Sequence, residues 1–197
     1  MRHLIDAYID ANESKVISAF DDMSIIDLIT ENGVEGVEKL PEGIGENRTA
    51  VAETIENNAR KIIVDMNPTN PMYYNKMSHL LDSLILERKK NALEYSEYLR
   101  EIVELAKKVK SSSSNEYPKT INSRAKMALY DNLNNNESLA VDLDESIRRN
   151  KFEGWRGNTY KERVIRNQIK RTLERFGITD ESEIEKVMNL VRNQDDY

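Results

Sequence analysis

The 197-residue chain contains no cysteine, which excludes disulfides, thiolate nucleophiles and cysteine-ligated zinc, and fits a reducing compartment. Glycine and proline are scarce, with 7 and 4 copies, too few for the many tight turns of an all-β architecture. No apolar run approaches the roughly 20 residues that span a bilayer. The opening Met1-Arg2-His3-Leu4-Ile5-Asp6 turns acidic at once and lacks a signal-peptide core. The expected location is therefore cytoplasmic, with no membrane partner. Enzymatic signatures are missing too. No glycine precedes a lysine, so there is no phosphate-binding loop of the P-loop type. His3 and His79 are far apart and have no metal-ligand spacing around them.

What is present is charge, unevenly spread. Charged residues make up 32% of the chain and hydrophobic ones 39%, a balance that suits helices with solvated outer faces. The formal net charge of -6 conceals an asymmetry. Residues 1–60 hold 13 Asp/Glu against 5 Lys/Arg, whereas residues 146–175 hold 10 Lys/Arg against 3 Asp/Glu. The first region repels nucleic acid and the second attracts it.

Apolar spacing predicts an all-α protein, an irregular helical bundle with a carboxy-terminal helical subdomain. Leu4, Ile5, Tyr8 and Ile9 line an opening helix that Val16, Ala19 and Phe20 continue, and Ile25 to Ile29 read as a helical turn. Residues 33–47 read as an irregular loop. Val51, Ala52, Ile55, Ala59, Ile62, Ile63 and Met66 mark an amphipathic helix stopped by Asn67-Pro68 and Asn70-Pro71. From about 72 to 108 no glycine or proline intervenes, and the stripe from Met77 to Ala106 predicts one central helix roughly 50 Å long. Ser111 to Asn115 is the best linker. The predicted division is an amino-terminal helical part over 1–110, a serine-rich linker over 111–118 and a carboxy-terminal subdomain over 119–197. Within the last, Asn134-Asn135-Asn136 separate two helices, Thr159 with Glu162 forms a capping-box pattern, and Gly177 ends the helix so started. Asp180 with Glu183 opens the final helix.

Two acidic clusters have a chemical and a plain reading. Asp142-Leu143-Asp144-Glu145 reads either as a cation site or as an imitation of a motor ATPase's acidic motif, and Glu87-Arg88-Lys89-Lys90 has the carboxylate-x-lysine spacing of some nucleases. The motor and nuclease motifs need a β-strand, and both stretches read as helix, so exposed helix faces are the preferred reading.

The candidate binding residues are Arg148, Arg149, Trp155, Arg156, Lys161, Arg163, Arg166 and Lys170, around the chain's single tryptophan. Positions 163, 166 and 170 share a helix face, and spaced cations of this kind grip phosphates. The competing reading pairs them with the acidic amino-terminal region or with another subunit, or leaves them facing water. Trp155 likewise either stacks on a base or a partner, or locks two helices together; packing is preferred.

A series of motifs then resembles a known family. Tyr117-Pro118, Ala125-Lys126-Met127-Ala128-Leu129-Tyr130-Asp131-Asn132-Leu133, Leu139-Ala140-Val141-Asp142, Gly154-Trp155-Arg156-Gly157-Asn158 and Lys161 with Val164-Ile165-Arg166 resemble the carboxy-terminal helical region of type I restriction enzyme R subunits. Glu94 to Leu99, Leu4 to Ile9 and the Asn193-Gln194-Asp195-Asp196-Tyr197 ending are similar to flanking parts of that region, so the likeness spans most of the chain. In that family the nuclease domain and two ATPase lobes lie upstream. The resemblance thus implies a fragment or separate domain that carries no catalytic residue and no metal, and has no cofactor of its own, whereas the parent subunit uses ATP and Mg2+. Its implied partners are the methyltransferase and specificity subunits, with DNA in the complex. Two other readings stand beside docking: a DNA-binding helical module acting through residues 148–175, and a helical scaffold unrelated to restriction.

Overall fold

The computed structural model describes residues 31–33, 48–90, 94–111 and 117–197. The expected helices over 4–20 and 25–29, nearly all of the 33–47 loop and the core of the serine-rich linker lie outside the described residues.

Among the described residues the protein is all-helical and has no strand. Seven helices follow one another: α1 (Arg48–Met66), α2 (Pro71–Lys89), α3 (Tyr95–Ser111), α4 (Arg124–Asn132), α5 (Glu137–Asn150), α6 (Thr159–Arg175) and α7 (Glu181–Arg192). They surround two hydrophobic clusters. The first is built by α1, α2 and α3, which all pack on one another. In α1 the buried face is Val51, Ala52, Ile55, Ala59 and Ile63, the i, i+3/i+4 stripe of an amphipathic helix. In the second cluster α5 packs on both α4 and α6, and α7 packs on α6 and α4. Each isoleucine or leucine fully buried there is worth about 1.5–3 kcal/mol relative to exposure.

The predicted single helix over 72–108 is two helices. α2 ends at Lys89, and the Lys90 N–H closes its last turn on the Leu86 carbonyl at 3.0 Å. α3 starts afresh at Tyr95 and packs back against α2. Tyr74, Leu81, Ile102 and Val109 fall on one seven-residue register and are all buried, so the apolar phase continues across the break. Spacing records which face is apolar, not whether the rod is continuous. A straight rod would leave that face open to water; folded in two, its halves cover each other and α1.

Helix ends follow local chemistry. Asn70 caps α2, accepting from Tyr73 N–H at 3.3 Å, with Pro71 in the first turn where its missing N–H is harmless. Asn134 and Asn135 adopt left-handed conformations (φ 56° and 58°), which asparagine tolerates better than most residues, and Asn136 caps α5. At the end of α6 the Gly177 N–H reaches the Glu174 carbonyl and the Ile178 N–H reaches Leu173, both at 3.0 Å. That pair of hydrogen bonds requires the left-handed φ of +79° at Gly177. The cap of α6 differs from expectation by one residue. Asn158, not Thr159, accepts from Lys161 N–H at 3.1 Å, and Glu162 reaches back to the Gly157 N–H at 3.0 Å. The left-handed Gly157 (φ +75°) turns its N–H toward that carboxylate.

The two clusters meet through α2 and α4 in a polar seam. Asn70 is its hub: its Nδ2 donates to Asp131 at 2.7 Å, and its Oδ1 accepts from Asn132 Nδ2 at 2.8 Å. Tyr117, at the end of the predicted linker, donates to the same Asp131 oxygen at 2.7 Å. Gln194 Nε2 donates to the Thr69 carbonyl at 2.5 Å. Burial pushes the Asp131 carboxyl up, against these hydrogen bonds.

Beside the seam, Tyr73 donates to the Lys108 carbonyl at 2.7 Å, and burial, with Tyr74 and Asp131 nearby, raises its pKa to about 12. An unfolded tyrosine ionises near 10.0, so above that pH the unfolded chain releases a proton that the folded chain keeps. The contribution of Tyr73 is thus complete below pH 10.0 and is lost progressively towards about 12. Thermal melts from about pH 9 to about pH 11 should show a shallower loss of stability for Tyr73→Phe than for the unaltered chain; equal slopes would rule this out.

Candidate functional site

The predicted basic region occupies the end of α5, the turn at 151–158 and the length of α6. Trp155 is buried at 2% exposure in the second cluster, so its ring is not offered to a base or a partner. The Arg156 guanidinium lies over that ring, 4.8 Å from its centroid. Arg156 also donates to the carbonyls of Arg192 (2.9 Å) and Gln194, tying the segment after α7 to the turn.

Among the described residues, four of the seven predicted binding cations meet carboxylates, and these lie on α5, α6 and α7 rather than in the acidic amino-terminal region. Arg148 donates through Nε to both oxygens of the buried Asp144 at 3.0 and 2.9 Å and lies over the Tyr197 ring. The Tyr197 hydroxyl donates to that carboxylate at 2.8 Å. Burial first, and then the neighbouring Asp144 charge, raise the tyrosine's pKa far above its ordinary value. Arg149 pairs with Glu145 at 2.6 Å and Lys170 with Glu174 at 3.9 Å, each one turn along the same helix. Arg166 joins Glu185 at 2.6 Å and also meets Glu181, both on α7. Sharing a face with positions 163 and 170 therefore does not make Arg166 part of a free row.

The other three, Arg156, Lys161 and Arg163, are different, and so is the neighbouring Lys151. Lys151 donates to the Asp196 carbonyl at 3.1 Å and Lys161 to the Glu153 carbonyl at 2.6 Å. Arg163 is exposed and has no partner among the described residues. A carbonyl orients a cation without cancelling its charge. Lys151, Arg156, Lys161 and Arg163 thus keep their charge, and all lie on or beside one protruding turn. Within residues 151–160 only Trp155 is buried. Glu162 is taken by Arg192 at 2.9 Å; that bond, followed by the Gly157 N–H, holds the Glu162 carboxyl below its usual range.

Two residues of this turn escaped the sequence reading. Phe152 is 51% exposed and Tyr160 is 77% exposed. Tyr160 stands five residues before the buried Ile165, off the spacing of the buried face of α6, and that misfit was the available signal.

The acidic stretches lie on helices as expected, but not as wholly exposed faces: Asp144 is 2% exposed and Arg88 is drawn inward. Within Asp142–Glu145, Leu143 and Asp144 are buried, Asp142 pairs with Arg175 at 3.3 Å and Glu145 with Arg149. Arg88 of the other stretch is drawn into the first cluster by Glu56. Among the described residues no group of three or more His, Asp or Glu side chains is arranged to hold a metal ion, and no helix is long and apolar enough to cross a membrane. No family model, no curated protein and no solved structure matches the chain.

Proposed function

We propose that the chain is a helical docking domain without chemistry of its own, the carboxy-terminal end of a type I restriction enzyme R subunit. On this reading it joins the ATP-driven DNA translocase and nuclease to the methyltransferase and specificity subunits. The observation that carries the reading is the construction of the joint at Gly154-Trp155-Arg156-Gly157-Asn158, the core of the resemblance. Trp155 fills the second cluster, Arg156 ties down the segment after α7, Asn158 caps α6, and the glycines at φ +61° and +75° make the turn. A motif whose members each hold the fold is what a family of helical domains would share whatever its DNA site. The pairing of Arg148, Arg149, Arg166 and Lys170 with carboxylates weighs against the alternative of a DNA-binding module using all of residues 148–175.

The purified chain should be retained on an immobilised methyltransferase–specificity core at low salt and should compete with the intact R subunit for it. It should hydrolyse no ATP and cut no DNA. No retention at low salt, or hydrolysis by a contaminant-free preparation, would remove the proposal.

A further inference from the structure

We propose that the turn from Lys151 to Arg163 binds single-stranded nucleic acid, with Tyr160 and Phe152 as stacking platforms and Lys151, Arg156, Lys161 and Arg163 as phosphate contacts. Three observations converge on it. First, the charge of these four cations is uncancelled. Three of them donate only to backbone carbonyls and the fourth has no partner among the described residues. A lysine has three donors and an arginine five, so each keeps N–H groups for an incoming phosphate.

Second, the aromatic rings stand among those charges. The Lys161 Nζ bond to the Glu153 carbonyl joins the residue after Tyr160 to the residue after Phe152, bringing the two exposed rings to one end of α6. An aromatic face that water covers in the free protein is a platform for a base, and such stacking tolerates any sequence. Third, the backbone there is open. A Cβ built on Gly154 or Gly157 would meet nothing within 4 Å, so a strand can approach the turn closely. Duplex DNA shows its backbone and base edges, not its base faces, so the rings favour an unpaired strand.

Two nearby carboxylates oppose binding: Glu153 and Asp195 are exposed and have no cation partner among the described residues. The site is therefore modest in strength and strongly dependent on salt. An acidic protein surface would satisfy the cations but not the rings.

The test is fluorescence anisotropy of the 197-residue chain with a labelled oligothymidylate of about a dozen nucleotides, compared with a duplex of equal length. Four phosphate contacts predict a slope of about -3 in log affinity against log salt, at roughly 0.7 per contact on a single strand. Arg163→Ala should flatten that slope by about 0.7, whereas Arg171→Ala, which removes an exposed cation with no partner among the described residues two turns along α6, should leave it unchanged. Tyr160→Ala should weaken binding about tenfold or more, and Tyr160→Phe should restore it. All three altered side chains are exposed, so circular dichroism melts should match the unaltered chain. No binding at low salt would overturn the proposal. So would a Tyr160→Ala variant that binds as before, or displacement by polyglutamate with no dependence on Tyr160; the last marks a docking surface for acidic protein. A failed pull-down with the methyltransferase core leaves the site untouched, because the probe is the oligonucleotide alone.

Discussion

Replacing Trp155 with alanine should lower the free energy of unfolding by about 3–5 kcal/mol, the range for removing a large aromatic from a packed core. In a chain of this length that lowers the melting temperature by about 6–20 °C. Trp155 is the largest side chain in the second cluster, where it joins Ile147 of α5 and Ile165 and Ile169 of α6. It also supplies the surface that the Arg156 guanidinium covers, so the loss reaches the segment after α7 through the Arg192 and Gln194 carbonyls. One feature limits the effect. The indole N–H is buried and finds no acceptor among the described residues, and such an orphan donor costs about 1–3 kcal/mol. Trp155→Phe, which removes that donor and keeps a ring, should therefore lose much less than Trp155→Ala. Equal losses in urea unfolding followed by circular dichroism would show that the ring does not pack as described.

Replacing Glu56 with alanine should cost a comparable amount, about 3–5 kcal/mol, by stranding a buried charge. Glu56 of α1 is 6% exposed. It accepts a forked pair of bonds from Arg88 of α2, at 2.8 and 3.1 Å, and a third from the Tyr98 hydroxyl of α3 at 2.7 Å. One carboxylate thereby ties together all three helices of the first cluster. Without it the Arg88 guanidinium, whose side chain is only 16% exposed, and the Tyr98 hydroxyl both lose their partner. Burial first, and then the bond to Glu56, raise the Tyr98 pKa well above its ordinary value, so it stays a donor throughout. Tyr98→Phe deletes one donor and leaves Arg88 paired, so it should cost only about 1–2 kcal/mol.

The single tryptophan reports where the damage goes. It belongs to the second cluster, and the seam between the clusters is a handful of polar contacts around Asn70 and Asp131. In Glu56→Ala the loss of helical signal should therefore come at lower urea than the change in tryptophan fluorescence. Coincident transitions would mean that the seam couples the clusters into one cooperative unit.

Much of this fold is legible in the amino-acid sequence. The stripe of α1, the proline stop after Met66, the asparagine separator before α5, the glycine end of α6 and the Asp180 start of α7 are local events. Each is decided by side chains within a few residues of one another, which is the range over which sequence patterns act. Packing of Trp155 between two helices also belonged to the preferred reading. The cap of α6 was misplaced by one residue because Asn158 and Thr159 are both competent caps. Only the turn geometry, with Gly157 left-handed, places Asn158 at the first orphan N–H groups.

What lies beyond local range was not legible. The amino-acid sequence by itself determined that this protein is helical, which faces are apolar and where positive charge accumulates. The tertiary structure decided that the stripe over 72–108 is two helices folded on each other. It decided too that Arg166 is answered by Glu181 and Glu185 of α7, while Lys151, Arg156 and Lys161 donate to carbonyls and not to carboxylates. Side-chain spacing along a helix is set by bonds a few residues apart. Whether a charge is cancelled depends on which distant segment folds against it.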